Sequence, residues 1–127
     1  MQENHLFEYA VIRVVPRVER EEFLNVGVVV FCNAKKFLKM KFVLNEDRLK
    51  TLSATLDIAD LRENIRAFER ICAGGKDGGS IGMLSIAERF RWLTATRSTV
   101  LQTSKVHPGL CEEPEEILER LFKELVV

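Results

Sequence analysis

The stretch Tyr9–Phe31, YAVIRVVPRVEREEFLNVGVVVF, decides the fold. Two β-branched apolar runs flank a charged connector, Arg17–Phe23. Within Leu6–Val15, Ala10, Ile12 and Val14 alternate with Tyr9, Val11 and Arg13, which predicts a strand. Pro16 removes a ladder donor and closes it. Leu24–Cys32 is apolar on both faces except at Asn25 and Gly27, as expected of a central strand covered on both sides. Arg13 and Asn25 are polar residues in otherwise buried strands, so each must find a partner. Next, Asn33–Lys36 turns the chain, without the glycine that a tight hairpin turn favours. Phe37–Val43 then sets Leu38, Met40 and Phe42 against outward Lys39 and Lys41, which suits an edge strand. Short connections make the three strands an antiparallel meander.

Helices follow. Asn45 is a plausible N-cap for a short helix carrying Leu49, Leu52 and Leu56. Asp57 opens a second, with Ile58, Leu61, Ile65, Phe68 and Cys72 on one stripe. Gly74 and Gly75 stop it, and Gly74–Ser80 reads as a connector. A third helix, about Met83–Thr94, carries Ile86, Phe90 and Leu93. Thr99–Val106 reads as a fourth strand and His107-Pro108-Gly109 as a turn. Pro114 suits the first turn of a last helix, and the glutamates at its start suit the helix dipole. The expectation is one α+β domain over residues 1–127: an antiparallel sheet of about four strands with about four helices, largely on one face. The two apolar faces of Leu24–Cys32 leave two options. Either helices cover both, or one face meets another subunit in a homo-oligomer.

Composition bounds the function. A chain of 127 residues can build a hydrophobic core without staples. Nineteen basic residues balance nineteen acidic ones, so no global field draws the chain to nucleic acid or anionic lipid. No apolar run approaches the ~20 residues of a membrane span. The start, MQENHLFEYA, lacks the basic and apolar regions of a signal peptide, and a cytoplasmic location is expected. Cys32, Cys72 and Cys111 form no CxxC pair, so neither a metal site nor a cofactor is implied. Cys111, four residues after His107, is the one thiol whose pKa a neighbour could lower.

Two segments carry candidate chemistry. Arg13 shares a face with Tyr9 and Val11, and its guanidinium can pair with Glu21 or Glu22 or present its fork to a phosphate or carboxylate. The bridge is the simpler reading, with Arg20 and Glu22 pairing locally in the connector. A phosphate-directed enzyme would centre on Arg13, Arg20, Glu22 and Asn25. The second segment is Arg89–Ser104, where Arg89, Arg91 and Arg97 surround Trp92 and hydroxyls follow, Ser98 among them. Basic groups beside an aromatic platform can hold single-stranded nucleic acid or a phosphate. An amphipathic helix meeting a polar edge strand explains the same residues, and the zero net charge argues for it.

RVVPRVEREEFLNVGVV and RFRWLTATRSTVLQTS, with the closing EEPEEILERLFKELV, resemble an uncharacterised bacterial family catalogued as domain of unknown function 3037. The similarity spans essentially the whole chain. On the family pattern Arg13, Arg20, Glu22, Asn25, Gly27, Arg91, Arg97 and Ser98 are the positions to watch. Genes of this family often neighbour one for a HipA-like kinase. The resemblance thus implies a non-catalytic accessory protein, a partner or regulator of such a kinase.

Overall fold

The computed structural model describes residues 3–127. Its sheet has five strands: β1 (His5–Val14), β2 (Leu24–Cys32), β3 (Phe37–Phe42), β4 (Leu101–Thr103) and β5 (His107–Cys111). Five helices accompany them: α1 (Glu46–Leu52), α2 (Ile58–Ala73), α3 (Gly79–Gly82), α4 (Ile86–Leu93) and α5 (Pro114–Leu125). The sheet order is β3-β2-β1-β4, with β5 also on β1, and every pairing is antiparallel. The expected α+β meander is present with β2 inside it.

The late part of the chain departs from expectation. His107-Pro108-Gly109 is not a turn but the start of β5, which pairs with β1 from His5 to Tyr9. β4 and β5 form one interrupted strand along β1, because Ala10 and Val11 of β1 lie opposite three residues, Ser104, Lys105 and Val106. The extra residue is held in place by Ser104: its Oγ accepts from Val11 N, and its own N–H donates to Val11 O. Pro108 is tolerated because β5 is an edge strand, where a missing donor costs least.

Helices cover both sides of the sheet. On one face Ala10, Ile12, Val14, Val29, Phe31 and Leu38 pack against α1, α2 and α4, through Leu49, Leu61, Ile65, Phe68, Phe90 and Leu93. On the other, Phe7, Val28, Val30, Cys32 and Cys111 lie under Ile117, Leu118 and Leu121 of α5. This explains the two apolar faces of β2 within one chain, so a covering subunit is not needed there. Side-chain oxygens of Asn45 and Asp57 cap α1 and α2, and Ser85 with Glu88 makes a capping box on α4. The Gly74–Ser80 connector is largely ordered as a 3-10 turn, Lys76–Gly78, leading into α3. The glutamates at the start of α5 reach the β2–β3 hairpin: Glu113 faces Lys35, Glu115 faces Lys39 and Glu119 faces Lys41.

Two local features fix the geometry. The β1–β2 register shifts after Ile12↔Gly27 to Arg13↔Asn25, so Val26 is an extra residue that bulges β2. Gly27 lies so close to β3 that a Cβ there would stand 2.7 Å from Lys41 O and 2.9 Å from Phe42 Cβ. The glycine-free hairpin closes with Lys36 in the left-handed region at φ 51.

Gly27→Ala should therefore force β2 and β3 apart and lower stability by about 1–3 kcal/mol. Val28→Ala, on the α5 side, should lose a similar amount by truncation. Urea unfolding midpoints followed by circular dichroism would check both. An unchanged midpoint for Gly27→Ala would contradict the β2–β3 packing.

Candidate functional site

The candidate residues separate into three groups. Arg13 and Asn25 stand opposite each other near the end of β1, and Arg20 and Glu22 lie in the connector beside the end of α1. Arg91, Arg97 and Ser98 lie at the far end of α4 and beyond it.

The connector folds as a 3-10 turn, Val18–Arg20, with Glu21 in the left-handed region at φ 57 reversing the chain. Its charges pair locally, Arg17 Nε to Glu19 Oε1 at 3.2 Å and Arg20 Nε to Glu22 Oε1 at 2.6 Å. These pairs are exposed and contribute little to stability. They do set one wall of a cleft of about 270 Å³, lined by Pro16, Arg17, Arg20 and Glu22 and closed opposite by Ser53 and Thr55 after α1.

Arg13 does not make the expected bridge to Glu21 or Glu22. Glu22 is taken by Arg20, its close neighbour in the connector, and Glu21 is turned outward by its backbone. Instead the Arg13 guanidinium carbon lies 4.0 Å from the centre of the Phe23 ring, a cation–π contact. Burial lowers its pKa from the ordinary arginine value. Its Nε is buried without a hydrogen-bond partner. Arg13 stands in register with Asn25 on β2 and with Gln102 on β4. Directly opposed residues face the same way, so the three form a polar row on the α5 face. At one end of this row Asn25 Nδ2 donates to Leu125 O at 3.2 Å, while its buried Oδ1 has no partner. At the other, Gln102 Nε2 donates to Thr99 O at 2.7 Å. Phe23, the roof of the row, is 47% exposed. An aromatic closing a charged connector was its only sign in the sequence.

Arg97 has a different task. Its guanidinium donates to Leu93 O at 3.0 Å and Trp92 O at 2.7 Å, closing the C-terminal end of α4. It also lies over the rings of Phe68 and Trp92, 5.0 and 4.8 Å away, and burial lowers its pKa. Arg89 likewise donates to Leu84 O at 2.9 Å. The aromatic platform and two of its three arginines thus serve the fold, which removes the motive for a nucleic-acid reading of Arg89–Ser104. Arg91 is exposed beside Trp92, and Ser98 is exposed in the loop before β4.

The cysteines are unpaired thiols, all buried. Cys111 is not lowered by His107: four residues of strand separate them by roughly 13 Å, and the His107 ring lies 5.3 Å from Tyr9. Burial instead raises Cys111, and neighbouring Cys32 adds to this. Cys72, under α4, is pushed up to about 12 by burial, against a smaller opposing effect of Arg89.

An α+β domain of this kind, with helices on both faces of an antiparallel sheet and a polar row at one end, is the class that fold and site define. The chain belongs to the family described as a protein of unknown function, DUF3037, whose model matches residues 9–126. No curated protein and no solved structure matches it. Among the described residues no helix is long and apolar enough to cross a membrane.

Two outcomes follow from these placements. Arg97→Met should cost about 1.5–3 kcal/mol, since two charge-assisted bonds to carbonyls are lost, and a calorimetric melt would show it. The second concerns pH. Between its ordinary 9.0 and about 12 the folded Cys72 keeps a proton that the unfolded chain releases. Its contribution is complete below the lower value and is lost as pH rises to the higher one. The stability advantage of the unmodified protein over Cys72→Ala should shrink by up to about 1.4 kcal/mol per pH unit in that window. Paired urea titrations would read it, and a constant difference would refute the burial of the thiol.

Proposed function

We propose that this chain is a non-catalytic binding domain that engages a protein partner through the connector end of the sheet. The observation that carries the reading is Phe23. A large aromatic is 47% exposed, yet held in one position by the Arg13 guanidinium beneath it. Val18, equally exposed, lies on the same connector, with Arg17 and Arg20 beside it. Aromatic and arginine side chains are the favoured anchors of protein interfaces. A cleft of about 270 Å³ is small for a metabolite pocket and suits a side chain of a partner better.

Arg97 belongs to the fold, while Gln102 remains beside Arg13. The resemblance to the family makes a HipA-like kinase the first partner to test. Unpaired thiols suit a reducing compartment, in keeping with a single cytoplasmic domain. The chain could be its own partner in a homo-oligomer, which sedimentation would reveal as a concentration-dependent mass.

Phe23→Ala combined with Arg20→Glu should weaken binding of a HipA-like kinase at least tenfold in calorimetric titration. Its melting temperature should stay close to that of the unmodified protein, because both side chains are exposed. Equal affinity for the double variant would exclude this surface. No binding by the unmodified protein would exclude the kinase.

A further inference from the structure

The connector surface identifies where a partner docks; the row beneath Phe23 bears on what that partner presents. Arg13, Asn25 and Gln102 come from three adjacent strands and face one way. Asn25 and Gln102 spend their amide nitrogens on Leu125 O and Thr99 O, and the buried Asn25 Oδ1 has no partner. Among the described residues no carboxylate lies within ion-pair distance of Arg13, whose Nε is buried and unpartnered. A half-buried cation without a counter-charge is costly, and two of the connector's acids, Glu19 and Glu22, are held by other arginines. The Phe23 ring occupies one face of the guanidinium at 4.0 Å. What stays open is the end of its fork, since Nε is covered while the two terminal nitrogens are not.

We infer that the Asn25–Arg13–Gln102 row receives a carboxylate of the bound partner, an aspartate or glutamate side chain, edge-on to Arg13. Edge-on, in-plane approach is how a carboxylate makes two parallel bonds to a guanidinium. Phosphate shares the oxyanion chemistry but is disfavoured here. Its second negative charge would find no free cation, because Arg17 and Arg20 are already held by Glu19 and Glu22. The Phe23 roof excludes water from one side, so the ion pair is stronger than on an open surface.

This inference rests on the binding reading above, but its test needs no partner. N-acetyl-glutamate α-amide, whose side chain is its single carboxylate, is titrated into isotope-labelled protein at constant ionic strength, with inorganic phosphate and chloride as comparison anions. The Arg13 Nε–H and the Asn25 and Gln102 amide signals are followed by NMR. The expected result is a saturable shift with the glutamate amide that chloride does not reproduce. Arg13→Met should abolish it. Arg13→Lys, which keeps the charge without the fork, should weaken it severalfold or more, each variant first being shown to have a dispersed, folded spectrum. A non-saturating response to the carboxylate would overturn the inference, as would the same shift in Arg13→Met. Tighter saturation by phosphate would overturn the carboxylate assignment. Should the Phe23→Ala, Arg20→Glu variant leave kinase binding unchanged while the titration holds, only the docking surface fails.

Discussion

One extra residue in β2 governs the arrangement of both layers. β1 alternates without interruption, so Arg13 faces α5 whatever β2 does. With an even register Arg13 would stand opposite Val26, and Asn25 would point into the larger core among Leu61, Phe90 and Leu93. The bulge moves Val26 into that core and turns Asn25 beside Arg13. There the Asn25 amide finds the carbonyl of Leu125, at the C-terminal end of α5. An amide left unsatisfied in an apolar core costs about 1–3 kcal/mol, so the bulge also settles where the last helix can end. Gly27 accompanies it because the bent strand comes too near β3 for any side chain.

The arginines divide by the kind of oxygen they meet. Arg48, Arg89 and Arg97 donate to backbone carbonyls near helix ends or turns, where the peptide dipoles leave negative charge. Arg17, Arg20 and Arg62 meet carboxylates on the surface. The first kind holds the chain in place, because a carbonyl in a fixed backbone has no freedom to leave. The second kind exchanges readily with water and with other anions. Arg13 belongs to neither. It lies deeper than the surface pairs, and among the described residues its attractive partner is an aromatic ring, which gives it much to gain from an incoming anion.

Much of this fold was legible in the chain. The alternation of Ala10, Ile12 and Val14 against Tyr9, Val11 and Arg13, and the lysines of β3, gave the meander its order and its edge. Caps at Asn45 and Asp57 gave the helix starts. The failures have physical causes. In LNVGVVVF nearly every residue is apolar, so alternation carries no information and the bulge at Val26 leaves no trace. Proline and glycine at 108 and 109 read as a turn because that is where they are most often needed; on an edge strand neither is excluded. Arg97 was placed in a site although it stands four residues after Leu93, the position from which a basic side chain can reach the last carbonyls of a helix. The bridge assigned to Arg13 failed because sequence proximity ranks acids by distance along the chain. The connector's own arginines compete for them first.

The two ends of β1 expose apolar side chains for different reasons. Near His5, Leu6 and Leu110 are a cross-strand pair, 60% and 66% exposed, where β1 meets the edge strand β5. That edge is blunted by Pro108, which denies an incoming strand one of its hydrogen bonds. An apolar pair of this kind attracts without direction and discriminates poorly. At the opposite end, Phe23 is tied to a cation that stands between two amides, and the connector adds further charge around it. A partner approaching there must match polar groups as well as cover a ring, and mismatched groups would be desolvated without compensation. Specificity arises where burial is conditional on polar satisfaction, and the connector end is where this chain imposes that condition.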